Sequence, residues 1–490
     1  MRLRPTVVPE AFVVDAGGRL CYRGRIDDRF VAVGKPRTKV THHELRDAIA
    51  ALHTGGRAPE SQPAVGCIFE AWTAAVPESV TYTRDIEPLL RANCVECHVP
   101  GGIGPFPLDS YSSAKRRARM VAAVCEERVM PPWRAARSGR FRDERILSER
   151  QIALFRAWAD AGAPKGEADA ALPALDRRAT KWRLGKPDLV LKMPRPFEIP
   201  AEGNDIYRYF VLPPKFPKDV VVTAMDFVPG DPTVVHHMNS FVDYSGRARK
   251  KDAEDEAPGF SVFGDGGFFD YSGADESGTI AVGGWTPGSD PYSLPPGYGI
   301  ALERGGEVVI EVHYHLTGKA TRDQSEIGFY FAKKPVSKYV DGMVIGTQEL
   351  DIPANSGDYG RHSFMEVPAD LVLTDITPHM HQLGKSLRAT LIRPDGTFEP
   401  LITIRDWDLR WQNIYTFRQP LRVPKGSRID VWFSYDNTED NPDNPSSPPK
   451  RVRWGWGTDE EMAELWMGFV PDRPGDAEKI RAAAEASWYR

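Results

Sequence analysis

The spacing of apolar and polar positions changes period twice along this chain. Residues 10–33 alternate with a period near two: EAFVVD and LCYRGRI flank the turn AGGR, which predicts a β-hairpin. TKVTHHELRDAIAALHTGG then spaces its apolar residues as one helix, with a capping box from Thr41 and Glu44 and a stop at Gly55 and Gly56. From 78 to 165 the pattern stays helical. TRDIEPLLRANC, SSAKRRARMVAAVCEERVMPPWRA (ended by Pro131 and Pro132) and LSERQIALFRAWADAGAPKG (capped by Ser148 and Gln151) are the expected helices. Residues 166–186 read as an Ala/Pro-containing linker. From Pro187 short β-prone runs take over: DLVLKM, VVVTAMDF, EVVIEVHYHL, IGFYFA, LRATLIRP, RIDVWFSY and ELWMGFV. Such runs with Pro and Gly turns predict β-sandwiches, and the length of the region asks for two, joined near 335–345. A long Gly/Asp-rich loop interrupts the first, and helical spacing returns only in DAEKIRAAAEASW.

Composition narrows the class. With 490 residues, 41% hydrophobic and 27% charged, this is a multidomain globular protein. A net charge of −5 argues against nucleic acid as a partner, and no apolar run is long enough to span a bilayer. None of the five cysteines lies beyond Cys125, so the strand-rich region is held by its core and by any metal it binds.

The sharpest motif is NCVECHVPGG. A Cys-x-x-Cys-His run can serve as a redox dithiol, as half of a zinc site, or as the attachment point of a c-type haem with His98 as axial ligand. A thioredoxin-type pair wants a βαβ context, and these flanks are helical. Zinc needs further nearby ligands, and after His98 the next histidine is His236. Haem is the remaining reading, with thioethers from Cys94 and Cys97 and with Met130 as sixth ligand. Met120 competes for that place but lies mid-helix, where a core role is simpler.

Histidines mark the strand region. His313 and His315, and His379 and His381, are separated by one residue on predicted strands, so each pair points one way. The second pair can chelate one metal directly. His236 and His237 are adjacent and face opposite sides of a regular strand, so sharing a metal requires the chain to bend there. His362 stands alone and reads as surface or structural, and His42, His43 and His53 as helix-surface residues.

Three resemblances organise these pieces. Residues 1–70 resemble the C-terminal half of a thioredoxin-like redoxin, without the half that carries its redox cysteines; Cys21 and Cys67 then read as incidental thiols. Residues 78–165 resemble a bacterial c-type cytochrome domain, all-α. HHMNSF, EVHYH, PHMHQLGKSL and DEEMAELWMGF, in that order between Asp188 and Pro471, resemble the copper type II, ascorbate-dependent monooxygenases. That last resemblance implies two antiparallel, jelly-roll-like sandwiches, 187–335 and 340–475, and two copper ions. His236, His237 and His313 would hold an electron-storing copper, and His379, His381 and Met462 the copper where O2 and substrate meet. His315 is then an onlooker, and Met467 a core residue. Animal members are tied by disulfides that this sequence lacks.

The expectation is a copper-dependent monooxygenase that hydroxylates an unactivated C–H bond of a small organic or peptide-like substrate. Its electrons would come through one covalent haem c from an ascorbate-like reductant or a redox protein. The alternative is a non-catalytic haem and copper electron-transfer or copper-holding protein; a thiol-peroxidase-linked role is weaker still. Haem c attachment implies a periplasmic or exported protein, and the lack of a visible leader implies a start lost upstream.

Overall fold

The structure, a computed structural model, describes all residues except 1–6, 16–19, 33–34, 38, 55, 57, 60–61, 66, 69–75, 168–180, 204, 262–277, 456, 458 and 490. The AGGR turn, Gly55, most of the 166–186 linker and most of the Gly/Asp-rich loop therefore lie outside the described residues. The chain divides into two units, Met1–Val80 with Leu147–Ala157, and Thr81–Ile146 with Trp158–Arg490.

In the first unit the hairpin pairs Ala11–Val14 with Leu20–Gly24, Val13 opposite Tyr22. Val7–Val8 pairs with Cys67–Ile68 and Phe30–Ala32 with Lys35–Pro36, so the described strands form three two-stranded ladders, not one sheet. The helix runs Glu44–His53, and the Thr41–Glu44 capping box does not form. Buried Asp28 takes the Thr41 amide at 2.7 Å, the Thr41 hydroxyl at 2.5 Å and the His42 amide at 3.0 Å. Glu44 accepts instead from Arg25 Nε at 2.8 Å. A carboxylate is the stronger acceptor, and it outcompetes the neutral cap. The second box does form: the Ser148 amide donates to Gln151 Oε1 at 2.7 Å and the Gln151 amide to Ser148 Oγ at 3.3 Å.

The second unit begins with Tyr82–Ile86 and Glu87–Asn93, which lead into the Cys-x-x-Cys-His loop. The helix expected over SSAKRRARMVAAVCEER is broken into Tyr111–Lys115, capped by Ser110, and Ala118–Glu126. Lys115, Arg116, Arg117 and Arg119 crowd like charges at the break, which disfavours a continuous helix there.

Two sandwiches follow, all seven predicted runs forming strands. In the first, a sheet ordered Thr279–Trp285, Val235–Asp243, Glu307–Tyr314, Ile206–Leu212 faces one centred on Val220–Val228. Val222, Phe227, Phe329, Phe210, Met238 and Ile310 from the two sheets share one core. In the second, Asp341–Gly346, Glu464–Pro471, Leu371–His379 and Tyr415–Val423 face Tyr359–Glu366, Arg428–Tyr435, Gly384–Ile392 and Phe398–Ile404. Arg428–Tyr435 alternates buried and less buried positions, the period-two signature of a strand with one face on a core.

The irregular stretch after Ala118–Glu126 is stitched onto both sandwiches. Ala135 and Phe141 enter the core of the second, and the Ala136 and Arg142 amides donate to Thr403 O at 2.7 Å and Thr416 O at 2.8 Å. Arg142 Nη1 reaches Ser293 O of the first at 2.7 Å. No helix among the described residues is long and apolar enough to cross a membrane.

Candidate metal centres

Strand register builds the first cluster. Val235 pairs with Tyr314 and His237 with His313, so the ladder slips and His236 is the extra residue of a β-bulge. The bulge supplies the bend that two adjacent histidines need. His236 Nδ1 lies 3.4 Å from His237 Nδ1, which lies 3.3 Å from His313 Nδ1. A metal held at about 2.0 Å by nitrogens in tetrahedral array separates them by about 3.3 Å. The three side chains are also the one set among the described residues whose donor atoms gather tightly enough for an ion.

Two of the far nitrogens face carboxylates. His313 Nε2 is 2.8 Å from Asp205 Oδ2, and His315 Nδ1 is 3.0 Å from Asp205 Oδ1. His237 Nε2 lies 3.7 Å from Glu311 Oε1, an electrostatic contact. Tyr207 stacks on His313 with ring centroids 4.1 Å apart. Such partners fix a ring's tautomer and leave Nδ1 as the ligating atom.

The second cluster forms differently from the expected strand face. The strand ends at His379; Met380 turns into the core and His381 follows in the loop, so period two does not align the pair. A buried carboxylate holds the loop instead. Glu461 accepts the His381 amide at 2.8 Å, the Leu383 amide at 2.6 Å and the Met462 amide at 3.2 Å. His381 Nδ1 meets Glu460 O at 3.0 Å and His379 Nδ1 meets Gln412 Oε1, which leaves Nε2 on both rings for a ligand. Met462 borders the same cavity as the two histidines. Met467, on the last strand, packs in the sandwich core. That cavity holds about 240 Å³ and is also bordered by His237, Glu311, Gln412 and Glu464.

Burial makes the rings poor bases. His236 is pushed down to about 2 by burial and by the His313 and His237 rings, His313 to about 4 by burial, and His381 to about 3 by burial and His379. Their lone pairs are free for a metal at neutral pH. Unfolded, these rings titrate near 6.5, so the unfolded chain binds more protons as pH falls, and folded stability present above 6.5 is lost below it. With metal chelated, each ring is expected to cost about 1.4 kcal/mol per pH unit below that point. Thermal unfolding of the chelated chain at pH 7.5 and 5.5 checks this; equal melting temperatures would refute it.

Cys94, Cys97 and His98 border a cavity of about 930 Å³, which His236, His315 and Trp411 also border. His98 Nδ1 is bonded to Phe106 O at 2.9 Å, which leaves Nε2 open to a ligand. A Cβ on Gly104 would stand 2.6 Å from His98 Nδ1, and one on Gly288 3.0 Å from Cys97 Sγ, so both glycines permit close packing around the motif. Burial pushes the Cys94 and Cys97 thiols up to about 12 and 11, the reverse of a reactive dithiol. Cys125 borders the cavity too, but among the described residues no group of three ligands including these thiols converges as a zinc site would. The donor set and the cavity's size are those a haem would need. Met130 opens onto this cavity, and so does Met120, which at 52% exposure is not the core residue expected.

Sequence reading missed the supporting groups. Glu311 precedes His313 by two on one strand and shares its face, which period two could have revealed. Asp205, Trp411 and Gln412 arrive from distant loops and carried no local signal. His362 bonds Asp430 at 2.8 Å on the outer sheet face.

No protein-family model matches the chain. It is 24% identical over 213 residues to MOXD1 homolog 1 of Drosophila melanogaster, covering 40% of this chain and 29% of that protein. The chain thus spans less than a third of the length of the curated relative it matches. Among solved structures, the one titled Crystal Structure of the STIV MCP is 11% identical, with 58% of this chain and 96% of that one covered and a TM-score of 0.22. An infectious bursal disease virus structure, Gx strain, is 10% identical over 62% and 80%, with a TM-score of 0.17. Scores this low carry no argument.

Proposed function

We propose that this protein is a copper-dependent monooxygenase that hydroxylates an unactivated C–H bond with O2, with electrons supplied through a haem c. The likeness to MOXD1 homolog 1 supports the copper monooxygenase family. The observation that carries the reading is the cavity of about 240 Å³ with His237 of one cluster and His379, His381 and Met462 of the other on its walls.

Bound copper would supply one-electron redox chemistry and O2 activation, and haem one-electron storage. His236, His237 and His313 would hold the first ion through Nδ1. His379 and His381, through Nε2, and Met462, through its thioether, would hold the second, the sulfur suiting the reduced ion. Gln412 and the Glu460 carbonyl keep the His379 and His381 protons on Nδ1. Glu464 is buried, accepts from neither ring and has a free Oε1, a partner for a substrate N–H or O–H. Cys94, Cys97 and His98 would anchor the haem, with Met130 as sixth ligand, in an exported protein.

The test is expression in a host that attaches haem c. Expected are one haem that survives denaturation, two coppers per chain, and copper-dependent O2 uptake with ascorbate. Cys94→Ala with Cys97→Ala should release the haem. Met462→Ala should reduce O2 uptake at least about tenfold while most copper stays. Unchanged uptake in Met462→Ala would instead favour a copper-holding electron carrier.

A further inference from the structure

The two histidine clusters differ in what stands behind the imidazoles. In the first, the acceptors are carboxylates. Asp205 takes His313 Nε2 at 2.8 Å, and Glu311 lies 3.7 Å from His237 Nε2. Each is held in place by a second partner: His315 Nδ1 at 3.0 Å from Asp205, and Asn239 Nδ2 at 3.0 Å together with the Tyr209 hydroxyl on Glu311. In the second cluster the acceptors are neutral, the Gln412 amide oxygen on His379 and the Glu460 carbonyl on His381. Its nearest carboxylates serve other groups. Glu461 accepts backbone N–H groups and Glu464 accepts Trp466 Nε1 at 2.6 Å, while Glu311, on the shared cavity wall, acts on His379 through charge alone; none of the three bonds an imidazole of this cluster.

We infer that Asp205 and Glu311 are positioning residues that make the first cluster prefer oxidised copper, while neutral acceptors and Met462 make the second prefer the reduced ion. This deepens the copper reading above and rests on it. An imidazole whose N–H is held by a carboxylate is a stronger donor at its other nitrogen, and the added negative charge favours the more highly charged ion. An amide or backbone carbonyl supplies a dipole and no net charge, and a thioether is a soft donor matched to Cu(I). The chain thereby holds the reduced ion by preference at the cluster that shares its cavity with the free Glu464 oxygen.

The full chain carrying His381→Ala isolates the first cluster. Its affinities for Cu(II) and Cu(I) are read separately, by competition with a chelator specific for each oxidation state, alongside the Cu(II) electron paramagnetic resonance spectrum. Asp205→Asn should weaken Cu(II) binding about 10–100-fold and leave Cu(I) binding nearly unchanged. Glu311→Gln should move the same ratio in the same direction by less, because its contact is longer. Asp205→Glu, which restores the charge, should recover part of the Cu(II) affinity. Equal losses in both oxidation states, or no loss in either Asn or Gln variant, would overturn the inference and leave the copper reading standing. Failure of the His381→Ala chain to bind copper in either state would overturn both.

Discussion

Replacing His237 with alanine is expected to remove one copper per chain and to abolish ascorbate-driven O2 uptake. His237 is the vertex of the first cluster: its Nδ1 lies 3.4 Å from His236 Nδ1 and 3.3 Å from His313 Nδ1. Without it the remaining two rings lose the shared neighbour that makes them a three-coordinate set. Loss of an outer hydrogen-bond partner typically costs about 10–100-fold in metal affinity, and loss of a ligand should exceed that. His237 also borders the cavity that His379, His381 and Met462 share, so the effect reaches both sides of the gap. The fold should survive, because the strand keeps its ladder to Glu307–Tyr314. Metal analysis, O2 uptake and circular dichroism on one preparation decide the matter. Two coppers per chain with unchanged uptake would remove His237 from the site.

The largest expected loss of stability comes from Phe141→Ala. Phe141 lies between the helical segment and the Arg-rich stretch before Leu147, yet it is 1% exposed and packs inside the second sandwich. Its ring sits 5.3 Å from both Tyr415 and Phe417, and Trp133 crosses Tyr415 edge-on at 5.1 Å. Truncation leaves a cavity in a packed aromatic cluster, with an expected cost of about 3–5 kcal/mol. Phe141→Leu keeps most of the volume and should cost under about 1.5 kcal/mol. Denaturant titration measures both; a similar midpoint for wild type and Phe141→Ala would show that this contact contributes nothing. Residues 133–145 also carry Arg145, paired with Glu96 of the Cys-x-x-Cys-His loop at 2.5 Å. The alanine variant should therefore make the Cys94 and Cys97 thiols of the haem-free chain easier to alkylate.

Some of this arrangement could be read from local pattern and some could not. The change from helical spacing to period two near Pro187 fell where the sandwiches begin, because burial of one sheet face imposes that period on each strand. The Ser148–Gln151 box formed, since both partners lie within one turn. The Thr41–Glu44 box has the same sequence form and failed, because Asp28 and Arg25 claimed its two members from the hairpin. A capping motif states what a turn can do, and the surrounding charges decide whether it does.

The histidine clusters divide in the same way. By itself the sequence determined which residue types were present and in what order: two adjacent histidines, a histidine after a glutamate on one strand, His-x-His, and a methionine after an acidic pair. It also determined that adjacent histidines needed a bend to meet. Only the tertiary structure decided that the bend is a bulge at His236, because ladder register depends on the partner strand. Only the tertiary structure brought Asp205 to His313, Gln412 to His379 and Glu461 under the His381 loop, across separations that no local period spans. Donor identity is a property of single residues and is written in the chain. Donor geometry, burial and charge come from groups distant in sequence, and they exist once the sandwiches have packed.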